Sequence, residues 1–174
     1  MDDKRKMLRH FLAALAYRTQ KAAAYMADGD APPGFAGFRA APGVRTPHQI
    51  VWHMTNVLGY ARTFFTGGTW HPPMLEDFDR EVLRFYDLLQ DLSHHLAIGT
   101  SFGETTPERL LQGPFADAMT HAGQLAILRR LFGSPVPPEN FILAAVDADN
   151  LGPAQPPPVS PDEQWTDAEG RPQR

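Results

Sequence analysis

Four stretches of this chain repeat apolar residues every three or four positions, and glycine or proline stands in each gap between them. That period belongs to an α-helix with one buried face. No apolar/polar alternation runs long enough to compete for a sheet. In the first stretch Leu8, Phe11, Leu12, Leu15, Ala22, Tyr25 and Met26 share a face, and Gly29, Pro32 and Pro33 stop it. A Gly/Pro/Ala-rich connection follows to about Arg45. The second stretch has the clearest start: Thr46 as N-cap, Pro47 at the first helical position and Gln49 closing a capping box. Ile50, His53, Met54, Val57, Ala61, Phe64 and Phe65 form its stripe, and Gly67-Gly68 ends it.

The third helix is expected from about Met74 to Ala97, with Leu75, Phe78, Val82, Phe85, Leu89, Leu92 and Leu96 inward. A short helical turn is expected at Thr106-Pro107-Glu108. The fourth long helix opens after Gly113-Pro114, with Phe115, Ala118, His121, Ala122, Leu125, Leu128 and Leu131 on one face. Helices joined this way predict an all-α fold, an antiparallel or partly crossed four-helix bundle. The bundle domain is expected over residues 1–152, with a short extra helix at Glu139–Val146 and a Pro-rich polar tail over 153–174. Trp165 would anchor that tail to a surface or to a neighbouring subunit.

A length of 174 residues suits one domain with a real core, and a hydrophobic fraction of 43 % suits a globular chain. The formal net charge of -4 argues against a nucleic-acid partner held by phosphate neutralisation. No apolar run reaches the roughly 18 residues that a membrane span needs. The segment MDDKRKMLRHFLAALAY reads as an amphipathic helix and not as a signal peptide, so a cytoplasmic location is expected. The chain has no cysteine, which excludes disulfides, thiolate ligands and a cysteine nucleophile. Any thiol chemistry would have to borrow its sulfur from a small molecule.

Three polar residues fall on the apolar faces. Asp117 and His121 are one helical turn apart, and His53 lies on the inner stripe of the second helix. Burying such groups is costly unless something satisfies them, and a divalent cation would satisfy all three. Two imidazoles and a carboxylate suit Zn²⁺, Ni²⁺ or Fe²⁺ with coordination positions left open. Spacing alone also fits a second reading, the usual one for such positions: hydrogen-bonded core or boundary histidines, and an aspartate serving the helix dipole. His48, Asn56, Tyr60 and Gln124 are the candidates for a substrate pocket beside the metal. His94 and His95 suit the end of the third helix, and His71 falls in a loop. No glycine-rich phosphate loop and no serine-hydrolase arrangement accompanies these residues.

The runs TPHQIVWHM and DAMTHAGQLAILRRL resemble the second- and fourth-helix motifs of the DinB-like (YfiT-like) superfamily, whose members are read as metalloenzymes. In that superfamily the second helix gives one histidine, and a late helix gives two ligands four residues apart followed by Gly-Gln. His53 matches the first ligand, and His121 the last, with Gly123 and Gln124 in register. Asp117 stands where histidine is usual, which alters the charge of the site. The stretch ENFILAAVDADNLGPAQ resembles a C-terminal segment of a subset of the superfamily.

The resemblance implies thiol-transfer, isomerase or hydrolase chemistry on a small molecule, with a low-molecular-weight thiol or a water at the metal, in a homodimer. The alternative is a non-catalytic metal-binding or stress-response module on the same bundle, motivated by the replaced ligand. An iron oxygenase would use the same ligand types, but the sequence offers no sign of a cosubstrate pocket.

Overall fold

The computed structural model describes residues 1–23 and 31–160, and Tyr25, Met26, Gly29 and Trp165 lie outside them. The described residues are all-helical, with no strand. The helices are α1 (Asp3–Ala23), α2 (Pro47–Thr66), α3 (Phe78–Ala97), the single turn α4 (Pro107–Leu110) and α5 (Ala116–Leu131). Both α1 and α2 pack against α3 and against α5. Leu12 and Leu15 from α1, Met54 and Leu58 from α2, Phe85 and Leu89 from α3, and Leu125 from α5 are fully buried between them. Each such side chain contributes roughly 1.5–3 kcal/mol of transfer free energy, so this shared apolar interior is what holds the helices together.

Helix α2 begins where the capping residues dictate. Thr46 Oγ1 accepts the Gln49 N–H at 3.2 Å, and Gln49 Oε1 accepts the Thr46 N–H at 3.0 Å. Both bonds satisfy donors that the first turn would otherwise leave open, and they fix the direction in which the preceding residue, Arg45, enters. The start of α5 is set by a break. Gly113 adopts φ -92° and ψ -106°, and with Pro114 it interrupts a wide turn over Leu111–Phe115. Helix α5 therefore restarts at Ala116, with Asp117 in its first turn.

Three expectations need correction. Helix α3 starts at Phe78 and not near Met74, because Asp77 caps it by accepting the Arg80 N–H at 2.8 Å. Leu75 precedes the helix, its N–H bound to the buried carboxylate of Glu81. Leu131 is 60 % exposed: ten residues beyond His121, it is rotated about 80° away from that inward face.

The third correction concerns residues 139–146, which form turns and not a helix. Asn140 Oδ1 takes the Ile142 N–H, an alternative to the helical ladder that asparagine favours. This segment instead straps α1. Tyr17 Oη donates to Glu139 Oε1 at 2.7 Å and the Arg18 guanidinium lies 3.8 Å from the centre of the Phe141 ring; farther along the chain, the Pro156 carbonyl accepts from Lys21 Nζ at 2.6 Å. The 153–160 part of the expected tail has no helix or strand. No helix among the described residues is long and apolar enough to cross a membrane.

Candidate metal centre

His53, Asp117 and His121 converge. One donor atom from each lies within 4.8 Å of the other two, a spacing at which a single metal ion could be held. His53 Nε2 is 3.5 Å from Asp117 Oδ2, and the two imidazole centroids are 4.5 Å apart with their planes tilted by 58°. His121 is buried, while His53 and Asp117 are partly open. The cluster therefore has a protein side and an accessible side.

Hydrogen bonding assigns the His121 tautomer. Its Nδ1 lies 2.8 Å from the Asp117 backbone carbonyl, which can only accept, so Nδ1 carries the proton. Nε2 is then left with its lone pair. A histidine that ligates a metal commonly donates its other ring N–H to a backbone carbonyl in this way. Facing that lone pair is Arg45, whose guanidinium nitrogen stands 3.3 Å from Nε2 and donates to it. Among the described residues no carboxylate forms an ion pair with Arg45.

The electrostatics favour the neutral form of His53, the form that could hold a metal. Burial lowers its pKa first, and the positive charge of Arg45 and the neighbouring His121 lower it further. Only Asp117 opposes them.

The accessible side opens into a cleft of about 480 Å³ between α2 and the connection to α3. His53, Asp117, Trp52, Asn56, Tyr60 and Trp70 are among its lining. Trp52 Nε1 donates to the Pro72 carbonyl at 3.2 Å, which ties the connection to the helix. Trp70 lies directly on the backbone of Gly59: a Cβ added there would stand 2.1 Å from Trp70 Nε1. Asn56 and Tyr60 thus line the cleft, Asn56 donating back to the Trp52 carbonyl and Tyr60 resting edge-on against Phe64. His71 also lines it.

Two candidate pocket residues lie elsewhere. The His48 ring packs edge-on against Phe78 and does not line the cleft. Gln124 lines a separate groove together with Arg45. His95 has a packing role, stacked on Phe65 and paired with Thr100 Oγ1 at 3.2 Å. Sequence reasoning missed Arg45, Trp52 and Trp70. The first precedes a helix cap in a featureless connection, and the tryptophans have no motif. Only the Gly59 position, a glycine inside a helical stripe, signals a close approach.

No protein-family model matches the chain, and searches of curated proteins and of solved structures found no match.

Proposed function

We propose that this protein is a metal-dependent enzyme acting on a small molecule, with one divalent ion held by His53, Asp117 and His121 in a DinB-like four-helix bundle. The observation that carries the reading is the convergence itself: one donor atom each from His53, Asp117 and His121 lies within 4.8 Å of the other two. The His121 N–H bound to the Asp117 carbonyl supports the reading, since ligating histidines commonly donate their other ring N–H in this way. Zn²⁺ and Ni²⁺ suit the two imidazoles and one carboxylate best, and Fe²⁺ is compatible.

A bound ion of this kind acts as a Lewis acid, polarising a substrate oxygen or lowering the pKa of water or a thiol. The chain's own residues supply the rest. Asp117 brings a negative charge that offsets part of the ion's. The carbonyl of Asp117 orients His121. Trp52 and Trp70 present apolar surface beside the open side, which limits access of bulk water. Because the chain has no cysteine, a thiol in the reaction would be a low-molecular-weight cosubstrate.

The test is metal analysis of untagged protein purified without added metal. Near one divalent ion per chain is expected in the native protein, and little in the His53→Ala and His121→Ala variants. Protein that comes out metal-free, and whose melting temperature does not move on adding Zn²⁺ or Ni²⁺, would overturn the reading. A screen of thiol and ester substrates then separates an enzyme from the non-catalytic module motivated by Asp117. Turnover lost in His121→Ala supports the enzyme.

A further inference from the structure

A second concavity, a groove of about 440 Å³, shares no lining residue with the aromatic cleft. Its walls are Ala40 and Val44 from the connection before α2, and Ile127 and Leu131 from α5. Ile127 and Leu131 are 61 % and 60 % exposed, a high value for adjacent aliphatic residues on one side of a helix. Gln124 adds one amide, and Arg45 is the sole charged residue of the lining. The groove thus has apolar walls, one amide and a single positive group. That group is the guanidinium whose only hydrogen-bond partner among the described residues is His121 Nε2.

We infer that this groove binds a small amphiphilic acid, an aliphatic monocarboxylate whose chain lies along Ile127 and Leu131 and whose carboxylate is taken by Arg45. Three features select that class. An apolar wall of this size removes several methylenes from water, at about 0.8 kcal/mol each. A guanidinium without a carboxylate partner among the described residues takes an anion readily, in a two-pronged contact that a neutral head group cannot copy. No acidic residue lines the groove to repel that anion.

The imidazole Nε2 is a poor partner for Arg45 by comparison, a neutral acceptor at 3.3 Å. An arriving carboxylate would draw the guanidinium toward itself and uncover the His121 lone pair. The acid's head would then lie beside the metal cluster. This last step deepens the metal-centre reading and rests on it. The groove itself does not.

The test uses the full chain, once stripped of metal by chelation and once incubated with Zn²⁺. Octanoate and 1-octanol are titrated by calorimetry, with chemical-shift mapping to locate them. They share a chain and differ in charge. Octanoate is expected to bind at the groove at least tenfold more tightly than octanol, the ratio that a charge-assisted hydrogen bond supplies. Arg45→Gln, an exposed position whose change leaves the core intact, should bring octanoate down to the level of octanol. Ile127→Asp should weaken both.

Equal binding of the two ligands, or a preference that survives Arg45→Gln, overturns the inference. So does binding of neither, with sedimentation showing a dimer that Ile127→Asp dissociates: the groove would then be covered by a second copy. Zinc titration of the same samples separates the two readings. Zinc uptake without octanoate binding sinks the groove and leaves the metal centre. Selective octanoate binding without zinc uptake supports the groove and sinks the metal centre.

Discussion

Arg45 donates to His121 Nε2 from 3.3 Å, so a side-chain cation faces the lone pair through which a metal would bind. The arginine and the ion cannot share that lone pair, and their charges repel. Arg45→Gln is therefore expected to raise zinc affinity by roughly fivefold, as removal of one nearby unit charge in a largely hydrated setting does. A competition titration against a chromophoric chelator reads this directly. An unchanged or weaker affinity would mean that Arg45 already stands clear of the ion.

His53 gives the site a definite pH dependence. Its folded-state pKa lies below the ordinary value of 6.5, chiefly through burial. Above that value the ring is neutral both folded and unfolded and contributes nothing to stability. As the pH falls through 6.5, the unfolded chain takes up its proton first, and the folded state loses stability until its own imidazole is protonated. His53→Gln should flatten this part of the profile. Urea midpoints at about pH 7.5, 6.5 and 5.5 for both proteins check it, and an equal loss in the two would refute it.

Gly59 and Trp70 make a prediction whose sign reverses with background. In the native protein Gly59→Ala gains about 1 kcal/mol of helix propensity. It also drives a Cβ to 2.1 Å from the indole, an overlap that forces Trp70 off α2 and costs about 1–3 kcal/mol. The overlap should win, and the substitution should destabilise. In a Trp70→Ala background the clash is gone, and the same substitution should stabilise. A double-mutant cycle by chemical denaturation decides.

Tyr86 supplies a control in the core. Its hydroxyl is buried without a hydrogen-bond partner among the described residues, and burial alone pushes its pKa strongly upward. Removing an unsatisfied buried hydroxyl relieves a desolvation cost. Tyr86→Phe should match or exceed the native melting temperature. A clear loss of stability would point to a buried water bound there.

The helix pattern was legible wherever local chemistry was strong. Thr46, Pro47 and Gln49 announce α2, and both capping bonds form. The i, i+4 spacing of Asp117 and His121 put two donors on one turn, and the apolar stripe of α2 carried the third toward them. Legibility failed where two local signals competed. Leu75 fits the period of α3, but Asp77 is the better cap and the helix starts after it. Residues 139–146 have helical spacing, yet Asn140 turns its own backbone and Tyr17 and Arg18 hold the segment as a strap. Arg45 was beyond reach for another reason. Its partner is 76 residues away, and nothing near it in the chain marks that meeting.

The seating of Trp70 on bare backbone separates the shape of the cleft from the placement of the three donors. Trp70, His71 and Pro72 of the cleft lining come from the connection at residues 67–76, whereas His53, Asp117 and His121 stand on α2 and α5. Exchanging, lengthening or shortening that connection would therefore reshape one wall of the cleft while His53, Asp117 and His121 keep their places. Diversification within such a fold would be expected to run through this one segment first.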